Sequence, residues 1–162
     1  MNIRPATAHA DDYDRLWAVL EPMIREGETY ALPVDMDRQA ALAYWLAPGN
    51  EVFLAELNGA VVGTYFLREN YPGGGAHVGN CGYVVAPRSR GSGVAYAMGE
   101  HSLVRARERG FLALQYNYVV SSNERAVKLW ERLGFSIIGR SPQAFRHPTS
   151  GMIDVFIMHR AL

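Results

Sequence analysis

The spacing of apolar positions predicts two helices near the start of the chain. Apolar side chains recur every three or four positions over residues 11–24, which is the spacing of an amphipathic helix. Asp11 and Asp12 stand at the start of this segment, where aspartate commonly caps a helix. A second helix is predicted from Met36 to Leu46, because the Pro48-Gly49 pair that follows would end it.

Alternating apolar positions predict strands in the rest of the first half. Residues 2–5 form a short candidate strand. The segments 51–57 and 60–67 flank the pair Asn58-Gly59. Both residues of an Asn-Gly pair tolerate a positive φ, so these two segments predict a β-hairpin with a two-residue turn.

The second half of the chain alternates between strands and helices. Its predicted strands are 77–86, 111–120, 135–140 and 152–160. A helix is predicted to end near Arg109, and Asn123 is predicted to cap a further helix that ends at Gly134. This order of elements predicts one mixed α/β domain over residues 1–162, in which helices cover the faces of a sheet.

Composition narrows the classes of function. The chain has 162 residues, of which 49% are hydrophobic and 20% charged, and its formal net charge is zero. We therefore expect no nucleic-acid or membrane partner. The single cysteine, Cys81, and the absence of a leader or a bilayer-length apolar run favour a cytoplasmic location. The histidines lack ligand spacing, so no metal is expected.

The segment VVAPRSRGSGVAYAM, residues 84–98, places a glycine loop between a predicted strand and a predicted helix. A helix N-terminus carries unpaired N–H groups and partial positive charge, which bind phosphate. The dinucleotide fingerprint requires a third glycine where Tyr96 stands, and the P-loop requires a Gly-Lys-Ser/Thr sequence that is absent. Capture of the pyrophosphate of coenzyme A remains as the third chemistry of such loops.

Two motifs resemble the GNAT superfamily of N-acetyltransferases. Residues 90–95, RGSGVA, match its phosphate-loop pattern [QR]-x-x-G-x-[GA]. Residues 123–135, NERAVKLWERLGF, are similar to its second signature, one strand downstream. The resemblance covers essentially the whole chain. It implies a mostly antiparallel mixed sheet of about seven strands, whose parallel fourth and fifth strands splay apart, with about four flanking helices.

The resemblance also implies acetyl transfer from acetyl-coenzyme A to an amine, with pantetheine held between the splayed strands. It assigns backbone groups of Tyr83, Val84 and Val85 to pantetheine and the thioester, and the stabilising role to a backbone N–H near Val84. The residues expected to bind the pyrophosphate are Arg90, Gly91, Ser92, Gly93, Val94 and Ala95. Asn123 is expected to hydrogen-bond coenzyme A, and Arg88 and Arg125 are further candidates for phosphate contacts.

Trp130 departs from the family pattern, which often has a tyrosine there as general acid. An indole N–H cannot protonate a leaving thiolate, so we expect Trp130 to pack beside pantetheine. The thiol has a pKa of about 8.5 and an alkyl ammonium one of about 10.4, so deprotonating the acceptor is the larger problem at neutral pH. Glu28 is the candidate base, with Glu26 and His77 as alternatives.

The acceptor is expected to meet polar residues near the splayed strands. Asn80 and Asn117 each interrupt an apolar strand, and buried amides need partners. HVGNCGY and QYNYV resemble the strands of a GNAT branch that acetylates proline analogues such as azetidine-2-carboxylate, where such asparagines bind the acceptor. Tyr30, Tyr116 and Tyr118 are further candidates for acids or for walls of the acceptor site, and Glu26 is a further candidate to bind the acceptor.

Three functions remain open on the sequence. The first is acetylation of a small amine, such as an amino acid or an analogue. The second is acetylation of a protein or peptide, and the third is a coenzyme A-binding module without catalysis, which Trp130 keeps open. The resemblance also allows a homodimer.

Overall fold

The structure, a computed structural model, describes residues 1–162 and contains one seven-stranded sheet and four helices. The strands are β1 (Asn2–Pro5), β2 (Glu51–Leu57), β3 (Ala60–Glu69), β4 (Val78–Val85), β5 (Ala113–Val120), β6 (Ser136–His147) and β7 (Gly151–Ala161). The helices are α1 (Ala10–Glu26), α2 (Arg38–Trp45), α3 (Val94–Glu108) and α4 (Glu124–Arg132). The predicted fold class is confirmed. No helix is long and apolar enough to cross a membrane.

The sheet is antiparallel except between its two central strands. Its strand order is β1-β2-β3-β4-β5-β7-β6, and only β4 and β5 run parallel. These two strands pair at Val78 with Ala113 and at Gly79 with Leu114, and at no later position. The predicted splay is therefore present, and it opens a gap in the middle of the sheet.

Two apolar cores lie on opposite faces of the sheet. One contains buried residues of α3 and α4, among them Met98 and Trp130, packed on β3, β4 and β5. The other contains residues of α1 and α2, among them Leu16 and Trp45, packed on β2 and β3. The two faces of the sheet are therefore covered by different pairs of helices.

Local signals in the sequence fix several element ends. Asn58 and Gly59 have φ values of 51° and 79°, so the hairpin between β2 and β3 has the predicted turn. The side-chain oxygen of Asn123 accepts a hydrogen bond from Ala126 N at 3.3 Å, so the predicted cap of α4 is also confirmed.

The predicted cap of α1 is wrong. His9 is the N-cap residue and makes no side-chain cap hydrogen bond. Asp12 instead accepts hydrogen bonds from Thr7 and from the guanidinium of Arg4, because that positive charge on β1 lies beside the first turn of the helix. Two predicted bounds also differ. The strand predicted over 135–140 is β6, which extends to His147, and the helix predicted from Met36 begins only after Asp37, whose side chain caps it.

Candidate active site

The direction of the backbone along β4 decides which of its groups face the gap. Val84 pairs with Thr64 of β3, and Ala86 N donates to Val62 O at 2.9 Å. Backbone groups point to alternate sides at successive residues, so Val84, two residues before Ala86, also directs its N–H toward β3. The N–H of Val84 itself therefore belongs to the β3–β4 ladder, so the predicted N–H near Val84 has to come from a neighbouring residue.

Tyr83 and Val85 direct their backbone groups into the gap. The ladder between β4 and β5 ends at Gly79, so neither residue has a strand partner on that side. The carbonyl oxygen of Tyr83 accepts a hydrogen bond from the hydroxyl of Tyr30 at 3.1 Å. The N–H groups of Tyr83 and Val85 remain for a ligand in the gap, where an unpaired donor would otherwise be costly.

The glycine loop leads from β4 to the N-terminus of α3. Gly91 and Gly93 have φ values of 82° and 84°, a conformation that glycine adopts without steric cost. Gly93 is the N-cap residue, so the first N–H groups of α3 point out of the helix at this loop. Arg90 extends from the loop and forms an ion pair with Glu26 at 2.7 Å.

A cavity of about 490 Å³ joins this loop to the gap, and we refer to it as the cofactor cavity. It contains most of the residues predicted to bind the cofactor, and Ser92 is not among its lining residues. Those that line it are Tyr83, Val84, Val85, Arg90, Gly91, Gly93, Val94, Ala95, Asn123 and Trp130. Glu26, Glu28 and Arg125 line it too, whereas Arg88 does not.

These residues fit coenzyme A. The exposed helix N-terminus and Arg90 suit a pyrophosphate, and a methyl group placed at Gly91 or Gly93 would meet nothing within 4 Å, so the loop is open on its outer side. The unpaired N–H groups of Tyr83 and Val85 suit the polar groups of pantetheine.

A second cavity, of about 260 Å³, lies on the other side of the gap, and we refer to it as the acceptor cavity. Five of the residues predicted for the acceptor site line it, namely Tyr30, Asn80, Tyr116, Asn117 and Tyr118. Glu26 and Glu28 do not line it. The structure therefore groups the asparagines and tyrosines together and separates them from the candidate base Glu28.

The predicted asparagines make hydrogen bonds within the protein. Asn80 is 7% exposed, and its Nδ2 donates to Gln115 O at 2.8 Å, across the point where the strands part. Gln115 Nε2 donates to Asn117 Oδ1 at 2.9 Å, and Asn117 Nδ2 donates to Asn70 Oδ1 at 2.6 Å. The Asn80 amide thus joins β4 to β5 where ladder bonds are missing, and both asparagines line the acceptor cavity.

Two aromatic residues, Tyr83 and Trp130, line both cavities. Trp130 packs against Tyr83 and Tyr116, with ring centroids 4.7 Å and 4.9 Å away. The Tyr83 hydroxyl lies 2.8 Å from that of Tyr116 and 2.7 Å from that of Ser102. Burial raises the pKa of Tyr83, Tyr116 and Tyr30 well above the ordinary value, so all three hydroxyls stay protonated.

The remaining chemically reactive residues lie outside this arrangement or are unreactive in it. Cys81 is buried, and burial raises the pKa of its thiol to about 12, so it is a packing residue. His77 is exposed before the start of β4 and lines neither cavity. The Tyr118 hydroxyl donates to Ala144 O at 2.6 Å, which joins β5 to β6. No group of three or more His, Cys, Asp or Glu side chains is arranged so that it could hold a metal ion.

One residue of the acceptor cavity was missed by the sequence analysis. Arg68, near the end of β3, is its only charged lining residue. In the sequence, Arg68 follows the seven residues of β3 that are buried in the structure. This position resembles an ordinary strand end, so it did not mark Arg68 as a site residue. Only the pairing of β3 with β4 brings this side chain to the site.

Comparison with known proteins agrees with this geometry. A family profile described as "Acetyltransferase (GNAT) family" matches residues 15–135. N-acetyltransferase aca1 of Schizosaccharomyces pombe is 26% identical over 151 residues, which cover 83% of this chain and 72% of that protein. Mycothiol acetyltransferase of Propionibacterium freudenreichii is 29% identical over 133 residues, but the match spans 79% of this chain and only 41% of that protein.

Solved structures show the same fold. A GCN5-related N-acetyltransferase from Kribbella flavida superposes with a TM-score of 0.92 and 35% identity, covering 99% of this chain and 97% of that one. A putative acetyltransferase from Salmonella typhimurium, yncA, was solved with acetyl-CoA and has a TM-score of 0.84 at 20% identity, covering 100% of this chain and 95% of that one. Since the family profile spans well over half of the sequence, the chain belongs to the GNAT family and is an acyltransferase.

Proposed function

We propose that this protein transfers the acetyl group of acetyl-CoA directly to the amine of a small, amino-acid-like molecule. The observation that carries the proposal is that the cofactor cavity and the acceptor cavity meet inside the gap between β4 and β5. The residues that line both are Thr29, Tyr83, Asn123, Ala126 and Trp130. A thioester in one cavity and an amine in the other would therefore lie beside the same five residues.

In this proposal the cofactor cavity binds the cofactor through its backbone. The N-terminus of α3 and the loop from Arg90 to Ala95 hold the pyrophosphate. The N–H groups of Tyr83 and Val85 pair with pantetheine and with the thioester oxygen, in place of Val84. Acetyl-CoA supplies the acetyl thioester, and a donor already fixed by the strand stabilises the charge that develops on its oxygen.

The acceptor cavity orients the amine. The amide oxygens of Asn80 and Asn117 can accept hydrogen bonds from an ammonium or amine group. Trp130 cannot donate a proton to the departing sulfur, and burial raises the pKa of Tyr116 well above its ordinary value, so its hydroxyl is a weaker acid than the thiol. A thiolate of pKa about 8.5 leaves readily without an acid, so we expect that no general acid is required.

The volume of the acceptor cavity supports a small acceptor, since about 260 Å³ suits a molecule of amino-acid size. The test is incubation of the protein with acetyl-CoA and a panel of L-amino acids, L-azetidine-2-carboxylate and simple alkylamines, with measurement of free thiol. We expect thiol release with at least one amino-acid-like amine and formation of its N-acetyl product. Tight acetyl-CoA binding without thiol release by any acceptor would contradict catalysis and favour a binding module.

A peptide acceptor is the second candidate, and a third cavity favours it. This cavity, of about 480 Å³, lies between the α1–α2 loop and the β6–β7 hairpin. It continues outward from the acceptor cavity, with which it shares Tyr30, Ala31, Leu32 and Tyr118. Short peptides with free N-termini therefore belong in the same panel. Turnover of peptides at a kcat/KM above that of every small amine would favour this candidate.

A further inference from the structure

Arg68 gives the acceptor cavity an uncompensated positive charge. Nineteen residues line this cavity, and Arg68 is the only Asp, Glu, Lys, Arg or His among them. The side chain is half-buried and belongs to the face of β3 that also carries Phe66. Its guanidinium therefore gives the cavity a positive charge.

No carboxylate of the protein neutralises this charge. Other arginines at comparable depth are paired, for example Arg4 with Asp12 and Arg105 with Glu51, each at 2.7 Å. Arg68 takes part in no salt bridge and lies over the ring of Phe66, with its Cζ 5.3 Å from the centroid. A partly desolvated guanidinium without an anion costs free energy, which an anionic ligand would recover.

The strand register directs this charge toward the reacting end of the cavity. Arg68 pairs with Asn80 across the β3–β4 ladder, and Phe66 pairs with Gly82. Because the guanidinium folds back over Phe66, its charge lies along β4 in the direction of Tyr83. The amides of Asn80 and Asn117 line the same cavity. An anion on the guanidinium and an amine on the amides can therefore belong to one small molecule.

We infer that Arg68 binds a carboxylate of the acceptor and selects amines that carry one. This inference rests on the proposed function and narrows its substrate class to amino acids and related carboxylated amines. The planar guanidinium matches a carboxylate with two parallel hydrogen bonds, a geometry that neither a lysine nor a neutral residue reproduces.

Binding without turnover tests the inference independently of catalysis. The ligands are L-amino acids, each compared with its own primary amide, and titrated calorimetrically into protein saturated with coenzyme A. For the amino acid that binds best, Arg68→Gln is expected to weaken binding by roughly 100-fold, and Arg68→Lys by less. The corresponding amide should bind wild type and Arg68→Gln equally. Arg107→Gln, an exposed change outside all three cavities, is the control and should alter neither ligand.

The inference would be overturned if Arg68→Gln weakened the binding of the amino acid and of its amide equally, or weakened neither. Turnover with acetyl-CoA is measured on the same samples, so the two proposals fail separately. Carboxylate-dependent binding without thiol release retains the role of Arg68 and contradicts the transferase function. Thiol release that does not depend on the carboxylate retains the transferase function and contradicts the role of Arg68. Thermal unfolding of each variant, expected within a few degrees of wild type, excludes misfolding as the cause.

Discussion

At the scale of single residues, Asp12 joins the first strand to the first helix. Its side chain is buried and accepts hydrogen bonds from the Thr7 N–H and hydroxyl at 2.8 Å each. Arg4 adds two charged hydrogen bonds, at 2.9 Å and 2.7 Å. The Arg4 guanidinium is the largest cause that holds the pKa of Asp12 well below its ordinary value of 3.8. The ionised carboxylate is therefore the form that stabilises the fold.

Replacement of this carboxylate should show how much it contributes to the free energy of unfolding. Asp12→Asn is expected to lower the free energy of unfolding by about 2 kcal/mol at pH 7, the usual loss for hydrogen bonds to a charged group. Because the folded-state pKa is depressed, the contribution is complete above the ordinary value of 3.8 and declines as the pH falls below it. Urea unfolding at pH 7, 5 and 3 should thus show a difference from wild type that shrinks only at pH 3.

The neighbouring carboxylate provides the control for this series. Asp11 lies on the same helical turn and is 77% exposed, so Asp11→Asn should change the free energy of unfolding little at any of these pH values. A difference between wild type and Asp12→Asn that stays constant from pH 7 to pH 3 would contradict the role given to the ionised form.

At the scale of elements, β4 is the strand that positions both cavities. It can approach Phe66 and Tyr30 closely because Gly82 has no side chain. A methyl group at Gly82 would lie 2.5 Å from Phe66 Cε1 and 2.9 Å from the Tyr30 oxygen, so one of these side chains would have to move. Movement of Tyr30 would weaken its hydrogen bond to Tyr83 O and alter the wall of the acceptor cavity.

We therefore expect Gly82→Ala to impair the acceptor half of the site. Displacement of the cavity wall should lower kcat/KM for the acceptor by roughly 10- to 100-fold. The KM for acetyl-CoA should change far less, because the phosphate loop is untouched. Steady-state kinetics with each substrate varied in turn make the measurement. Gly74→Ala is the matched control, since a methyl group there meets nothing within 4 Å. An equal loss in both variants would contradict the argument.

At the scale of the whole molecule, the titratable groups that could act as bases lie away from the acceptor cavity. The acceptor cavity has no carboxylate or imidazole, and Glu26 and Glu28 line the cofactor cavity instead. The tyrosines around the gap have raised pKa values and stay protonated, so they do not act as bases. No side chain of the acceptor cavity can therefore remove the proton of an ammonium group at neutral pH.

The pH profile should consequently follow the acceptor. We expect log kcat/KM to rise by about one per pH unit until the pKa of the acceptor amine itself, since only the neutral amine attacks. Two acceptors of different amine pKa should give two different inflections, and Glu28→Gln should leave both in place. A single inflection near neutrality that is common to both acceptors and lost in Glu28→Gln would make Glu28 the base.

The local structure of several elements followed from short stretches of sequence. The Asn58-Gly59 turn and the Asn123 cap depend on residues at most three positions apart, so their chemistry can be recognised without the fold. The start of α1 did not follow, because the Asp12 carboxylate bonds to Arg4 on another element. Which N–H near Val84 faces the gap did not follow either, since the direction of an N–H depends on which strand pairs with it.

The sequence by itself determined the element order, the family and the phosphate loop, because these rest on apolar periodicity and on two local motifs. Tertiary structure alone decided how the site is divided. Strand pairing brought Arg68 beside Asn80, packing placed Glu28 in the wall of the cofactor cavity, and the two cavities lie where β4 splays from β5. These are contacts between residues far apart in the chain, whose register and direction local patterns do not encode.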